Sequence, residues 1–233
     1  MKTLLGLLLW AWAALTSSPA QDCLGMTFRP GMNFELTSFN AKDKLTSRLL
    51  YQVKDVRREG SSTVLDMTVQ AQDEKGRQQA AYAIRYTCTG DELLGDLSGM
   101  AQAMQNPGMP DMTMKLKTNR LVYPTRLSVG QKLPDGQMDA DLLNGGNTMA
   151  EMSLTMSNRQ VDSQQPLTTP AGTFDTYKIT SDMSFTNRTM GIPIRGSMRI
   201  VSYRSPKQIM DVRSETYSKN GKLVGYTLLS RAN

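Results

Sequence analysis

Apolar and polar residues alternate with a period of two along most of this 233-residue chain, which commits it to extended strands that each bury one face. Phe34, Leu36 and Ser38 share a face, and after the polar turn Asn40-Ala41-Lys42-Asp43 the same pattern resumes at Leu49, Tyr51 and Val53. Val64–Val69 and Ala81–Tyr86 flank Asp73-Glu74-Lys75-Gly76, whose chemistry suits a hairpin tip. Met138, Ala140 and Leu142 run into Asn144-Gly145-Gly146-Asn147, a strong hairpin turn, and Ala150, Met152, Leu154 and Met156 return from it. Met112–Lys117, 175–184 and 196–203 alternate as well, and Ser214–Tyr217 and Leu223–Leu228 flank the polar turn Ser218–Lys222. No linker-like tract interrupts residues 21–233. The expected fold is mainly β: one domain built on a curved antiparallel sheet, a β-roll or open barrel.

One segment departs from this pattern. Between Asp91 and Gln105 the apolar residues Leu93, Leu94, Leu97, Met100 and Met104 recur at helical spacing, with Asp91 and Glu92 at the start and Asn106-Pro107-Gly108 at the end. The spacing predicts a short amphipathic helix over 91–105 whose apolar stripe packs on the sheet and covers an end or an open face.

The first twenty residues read as a secretory leader: Lys2, an apolar run from Leu4 to Leu15, then Ser18-Pro19-Ala20, with cleavage before Gln21. The run is shorter than the roughly twenty residues of a membrane-spanning helix, and no second one follows, so the mature chain is expected to be soluble and without a transmembrane segment. Asp22 beside Cys23 argues against lipid attachment, so the chain is expected not to be a lipoprotein. In an oxidising compartment Cys23 and Cys88, the two cysteines of the sequence, are expected to form a structural disulfide. The chain carries 27 Lys and Arg against 21 Asp and Glu, a formal charge of +6. The cations are scattered and aromatics are sparse, so nucleic acid is not an expected partner.

Histidine is absent from the sequence. Without imidazole there is no Ser-His-Asp or Cys-His machinery and no His-containing metal centre. Gly-x-Ser-x-Gly, Ser-x-x-Lys, Gly-x-Gly-x-x-Gly and phosphate-loop motifs do not occur either, so neither an enzymatic activity nor a cofactor is expected. Methionine is abundant instead, at 17 residues, nine of them between Met100 and Met156. Three readings compete for this density. The first is ordinary core packing. The second is a pliable cavity for an apolar or amphiphilic ligand, lined by Met112, Met114, Leu116, Met138, Leu142, Met152, Leu154 and Met156. The third is a Cu(I) site through Met109, Met112 and Met114. Asp139 and Asp141 project from one side of a strand as a candidate Ca²⁺ or acid–base pair, set against plain solvent-facing alternation.

Several strings occur together: the leader, the early Cys23, Leu127-Ser128-Val129-Gly130-Gln131-Lys132-Leu133-Pro134-Asp135-Gly136, and Thr168-Thr169-Pro170-Ala171-Gly172-Thr173-Phe174-Asp175-Thr176-Tyr177-Lys178-Ile179. The closing Tyr217-Ser218-Lys219-Asn220-Gly221-Lys222-Leu223 completes the set. With these the chain resembles the TapB-like family of exported Bacteroidota proteins, over nearly its whole mature length. The resemblance implies an exported, predominantly antiparallel β protein, with no enzymatic activity or catalytic residues to carry over. The expectation is a periplasmic or secreted non-catalytic module whose partner is a lipid-like or other apolar ligand, or an envelope protein. A solid-cored structural or interaction protein is the rival reading.

Overall fold

The computed structural model describes residues 21–23, 26–89, 92–96, 112–124, 126–189 and 191–233. Residues 1–20, the expected leader, lie outside these residues. Among the described residues the regular structure is all strand. β1 (Gln21–Cys23) and β2 (Met26–Phe28) form a small separate hairpin. The remaining twelve strands make one antiparallel sheet. Its N-terminal part contains β3 (Asn33–Asn40), β4 (Leu45–Glu59), β5 (Ser62–Asp73), β6 (Tyr82–Cys88) and β7 (Leu93–Asp96). Its C-terminal part contains β8 (Met112–Arg120), β9 (Gly136–Asn144), β10 (Asn147–Thr169), β11 (Gly172–Thr189), β12 (Ile192–Arg204), β13 (Arg213–Ser218) and β14 (Leu223–Ala232).

The order across the sheet is β7-β6-β5-β4-β3-β14-β13-β12-β11-β10-β9-β8. Consecutive strands of this sheet thus pair with one another except β7 and β8, and β14 pairs with β3 in the register Leu229↔Leu36 and Thr227↔Ser38. Reciprocal backbone bonds between Asn33 and Asn233, of 2.7 and 3.0 Å, fasten the same junction. The two edges of the sheet, β7 and β8, meet where the Asn119 side-chain amide donates to the Gly95 carbonyl. The result is a nearly closed barrel, sealed where the chain begins and ends and seamed in its middle. Closure of this kind leaves little edge to template aggregation.

Local chemistry accounts for the turns. Asn40 Oδ1 accepts from the backbone N–H of Lys42 and Lys44 at 2.9 and 3.1 Å, while Asp73 Oδ1 accepts from Lys75 and Arg77, both at 2.9 Å. In each case a short polar side chain replaces missing ladder partners. The Thr168–Ile179 string forms the end of the β10–β11 hairpin, where Ala171 and Phe174 fold against the main core. Thr176, fully buried, donates to the Gln165 carbonyl at 2.8 Å and locks this arm. The string is therefore a fold-specifying turn. Pro166 sits in the arm opposite Asp175, where its missing N–H leaves no central ladder bond unmade.

The main core joins Phe28, Phe34, Val53, Leu65, Met67, Val69, Ile84 and Leu229 with Ile209 and Met210, two residues of the β12–β13 connection that reach inward. Cys23 and Cys88 are bonded, with their Cα atoms 5.6 Å apart, so the β1–β2 hairpin is stapled to β6 over this core.

The expected helix over 91–105 needs correction. Leu93–Asp96 form the edge strand β7, with Leu93 opposite Cys88 and Gly95 opposite Tyr86. Leu93 is buried in the core, and an added Cβ on Gly95 would stand 3.2 Å from the Tyr86 ring, so the strand is selected by contacts distant in sequence. The other residues of that expectation, Asp91 and 97–105, lie outside the described residues.

Candidate internal binding site

Residues directly opposite one another on paired strands share a face of the sheet, so the register identifies the interior wall. Leu229, Leu36 and Leu49 lie in one row, Leu65, Tyr86 and Gly95 in another, and Ser202, Ser214, Thr227 and Ser38 in a third. Where these rows approach the seam they enclose a partly open cavity of about 380 Å³. Its apolar wall is made by Leu36, Leu49, Leu93, Leu121, Ile209 and Met210, and the hydroxyls of Ser38, Ser214 and Thr227 line one side. Ser38 and Thr227 are hydrogen-bonded to each other at 3.0 Å. A space of this size with a few convergent polar groups has the dimensions of a small-molecule site.

One end of the cavity is charged. Arg204 closes β12 with 6% of its surface exposed, donates from Nη1 to Asp211 Oδ1 at 3.0 Å and from Nη2 to the Ile209 carbonyl at 3.3 Å. Its guanidinium carbon lies 3.9 Å from the centroid of the Tyr123 ring. A second guanidinium, that of Arg159, lies 5.0 Å from the same centroid and is 2% exposed. It donates from Nη1 to the carbonyls of Val122 and Pro134, at 2.9 and 2.6 Å, and also hydrogen-bonds the Tyr123 phenol. Burial pushes the Tyr123 phenol up to about 12, with the Asp211 carboxylate adding to the rise and Arg204 opposing it. Tyr86, which also lines the cavity, is pushed up to about 12 by burial, with Arg204 again opposing. Both phenols are neutral donors at physiological pH. Burial lowers the Arg159 guanidinium from its usual value, yet such a group stays charged in proteins.

Arg159 faces inward because the strand slips. The β10–β11 register shifts between Ser157 and Gln160, and Asn158 there has φ 51°, the left-handed conformation that a short amide side chain tolerates. Asn158 Nδ2 donates to Asp182 Oδ2 at 2.9 Å, which holds the bulge. A bulge re-aims the side chains that follow it. Here it turns a cation into the interior.

The methionine and leucine residues expected to line a cavity occupy the neighbouring part of the same wall. Met114 is opposite Leu142, Leu116 and Met152 are both opposite Ala140, Met138 is opposite Leu154, and Met156 is opposite Gly136 and Met183. Met138 is also opposite Asn119, a residue of the cavity, so this surface continues the cavity wall. All seven are half-buried. None of them lines the 380 Å³ space itself, whose apolar residues come from β3, β4, β7 and two connections. Met112 opens β8 opposite Asn144, and Met109 lies outside the described residues.

Asp139 and Asp141 lie on the outer face beside a surface cleft that also contains Lys117, Glu151, Arg188 and Arg195. Asp141 is buried and its carboxylate meets Lys117 Nζ at 2.6 Å, so it is occupied as half of an ion pair. Among the described residues no group of three or more Cys, Asp or Glu side chains gathers at a metal-sized point.

Fold and cavity together define a class: a twelve-stranded antiparallel meander barrel with an apolar, partly open interior and a charged end. Residues 29–229 match the DUF3108-like family, and the chain belongs to it. Two solved structures share the architecture. A "putative lipoprotein" from Parabacteroides distasonis ATCC 8503 is 21% identical, with a TM-score of 0.67 over 91% of this chain and 100% of that one. A "putative exported protein with YmcC-like fold" from Bacteroides fragilis NCTC 9343 is 20% identical, with a TM-score of 0.65 over 88% of this chain and 96% of that one. At these identities the likeness concerns the fold. No curated protein matches the sequence.

Proposed function

We propose that the protein is an exported, non-catalytic binding module of the cell envelope that holds an apolar or amphiphilic molecule inside its barrel. The observation that carries this reading is the 380 Å³ cavity, apolar along most of its wall and polar at one end. In this account the acyl or other apolar part fills the space between Leu36, Leu49 and Leu121 and continues along Met138, Leu154 and Met156 on the same face. Methionine suits that surface, since an unbranched, polarisable side chain adapts to ligands of varied shape.

Export is supported by the leader-like first twenty residues, by the disulfide, and by a fold neighbour described as exported. The narrower likeness to the TapB-like family rests on the sequence strings alone. The expectation of a chain without lipid is not carried forward, because the Parabacteroides neighbour is described as a lipoprotein.

The test is gentle purification from the envelope followed by mass spectrometry of extracted lipid, with titration of a fluorescent fatty acid. Stoichiometric acyl compound and saturable binding support the reading. Absence of both favours the rival, a barrel that acts through its outer surface.

A further inference from the structure

We infer that the ligand is a single-chain amphiphile with an anionic headgroup, and that the headgroup sits at Arg204 between the hydroxyls of Tyr86 and Tyr123. The inference rests on the proposal that the cavity holds an amphiphile, and it specifies the charge of that molecule.

The charge balance of the interior carries the argument. Arg159 and Arg204 are both nearly inaccessible, and both lie against the ring of Tyr123. One carboxylate, Asp211, accompanies them: it is hydrogen-bonded to Arg204 and acts on Arg159 through space, while the hydrogen bonds of Arg159 go to two neutral carbonyls and the Tyr123 phenol. Arg204 and Asp211, the charged members of the cavity lining, pair with each other, and Arg159 stands outside the lining against the same Tyr123 ring, so among the described residues this end of the barrel gathers two guanidinium groups against one carboxylate. Buried charge is expensive unless compensated, and at low effective dielectric the uncompensated guanidinium acts over several ångströms. A monoanion at the polar end supplies the missing charge.

The surroundings suit an anion in other respects. Tyr86 and Tyr123 line the same end with neutral phenols, and of the five N–H donors of a guanidinium Arg204 spends one on Asp211 and one on the Ile209 carbonyl, which leaves donors for the oxygens of a carboxylate or phosphate. The bulge at Asn158, with its left-handed backbone, exists at the point where Arg159 is turned inward. Strained backbone persists where surrounding structure requires it, commonly at binding sites. The apolar wall then accepts the chain, and the two ends of the cavity match the two ends of an anionic amphiphile.

Dodecanoate, dodecyl phosphate and methyl dodecanoate separate the alternatives when each displaces a fluorescent acyl probe below its critical micelle concentration. The expected result is that at least one anion binds tenfold or more tighter than the methyl ester. The arm that binds tighter identifies carboxylate or phosphate. Arg204→Gln is expected to abolish the preference for the anion while leaving the ester unaffected. Because Arg204→Gln can also disturb folding, Asp211→Asn provides a gain-of-affinity control: removing the competing carboxylate is expected to tighten anion binding several-fold and leave the ester unchanged. Equal affinity for anions and ester, unaltered in Asp211→Asn, overturns the headgroup assignment but preserves the apolar cavity. Failure of all three ligands to bind overturns the cavity reading itself.

Discussion

The guanidinium of Arg204 lies over the ring of Tyr123 at 3.9 Å, and the guanidinium of Arg159 approaches the same ring at 5.0 Å. One aromatic side chain therefore holds two buried cations, through the negative face of its π-system. Tyr123→Phe keeps the ring but removes the hydroxyl that Arg159 hydrogen-bonds, and is expected to lose about 1 kcal/mol, whereas Tyr123→Leu also removes the ring and is expected to lose about 3 kcal/mol. Urea unfolding of the three proteins measures the difference. Equal stability of the Leu and Phe variants would show that the ring is not what holds the arginines.

The disulfide joins the N-terminal hairpin to β6 across a sequence separation of 65 residues. Closing so long a loop contributes roughly 4 kcal/mol in the chain-entropy account. The purified protein should show no free thiol under denaturing conditions, and a Cys88→Ser variant should unfold at clearly lower urea. An unchanged midpoint would mean that the hairpin is held by Phe28 and Met26 alone.

Alkaline pH has a defined effect. Tyr51, Tyr86 and Tyr123 all have phenols raised by burial above the ordinary value near 10, with Tyr86 and Tyr123 at about 12. The folded state thus keeps protons that the unfolded chain gives up, so stability is full below pH 10 and falls as pH rises from there. Denaturation midpoints at pH 9 and pH 11 test this, and phenolate absorbance should rise together with unfolding. Tyrosines that ionise freely in the folded protein at pH 10 would contradict the burial of these hydroxyls.

At the acid end the outer-face cluster around Asp66 is decisive. Arg85 Nε donates to Asp66 Oδ1 at 2.6 Å, and Arg57 also donates to this carboxylate. The hydrogen bond from Arg85 is the largest influence holding Asp66 below its usual value, with burial opposing. This stabilisation is present above pH 4, where the unfolded carboxyl is ionised, and is lost as pH falls through the folded value. Asp66→Asn should therefore be less stable than the parent at pH 7, with the difference shrinking towards pH 2.

Much of the barrel was legible as alternation. Leu36, Leu49 and Met138–Met156 fall on the faces that the period of two assigns, the Asn144–Asn147 turn is a hairpin, and Cys23 pairs with Cys88. Leu93–Asp96 was misread because helical spacing over 91–105 is a local signal, while the free edge of β6 and the space above Gly95 are not. The seam between β7 and β8 and the closure of β14 on β3 likewise depend on contacts far apart in sequence. The charged end was hidden for a related reason. Arg159 and Arg204 look like scattered surface cations until the register is known. One clue was present: apolar residues fall on even numbers through Met156 and on an odd number at Val161, a change of phase that marks the bulge beside Arg159.

The central claim is that the barrel interior is a binding space, and filling it tests that claim most directly. Leu36→Trp places an indole in the 380 Å³ cavity from a residue of its wall. With circular dichroism and urea unfolding confirming an intact fold, titration of a fluorescent fatty acid should show affinity reduced at least tenfold relative to the parent. A folded Leu36→Trp protein that binds the acyl probe as tightly as the parent would contradict the account.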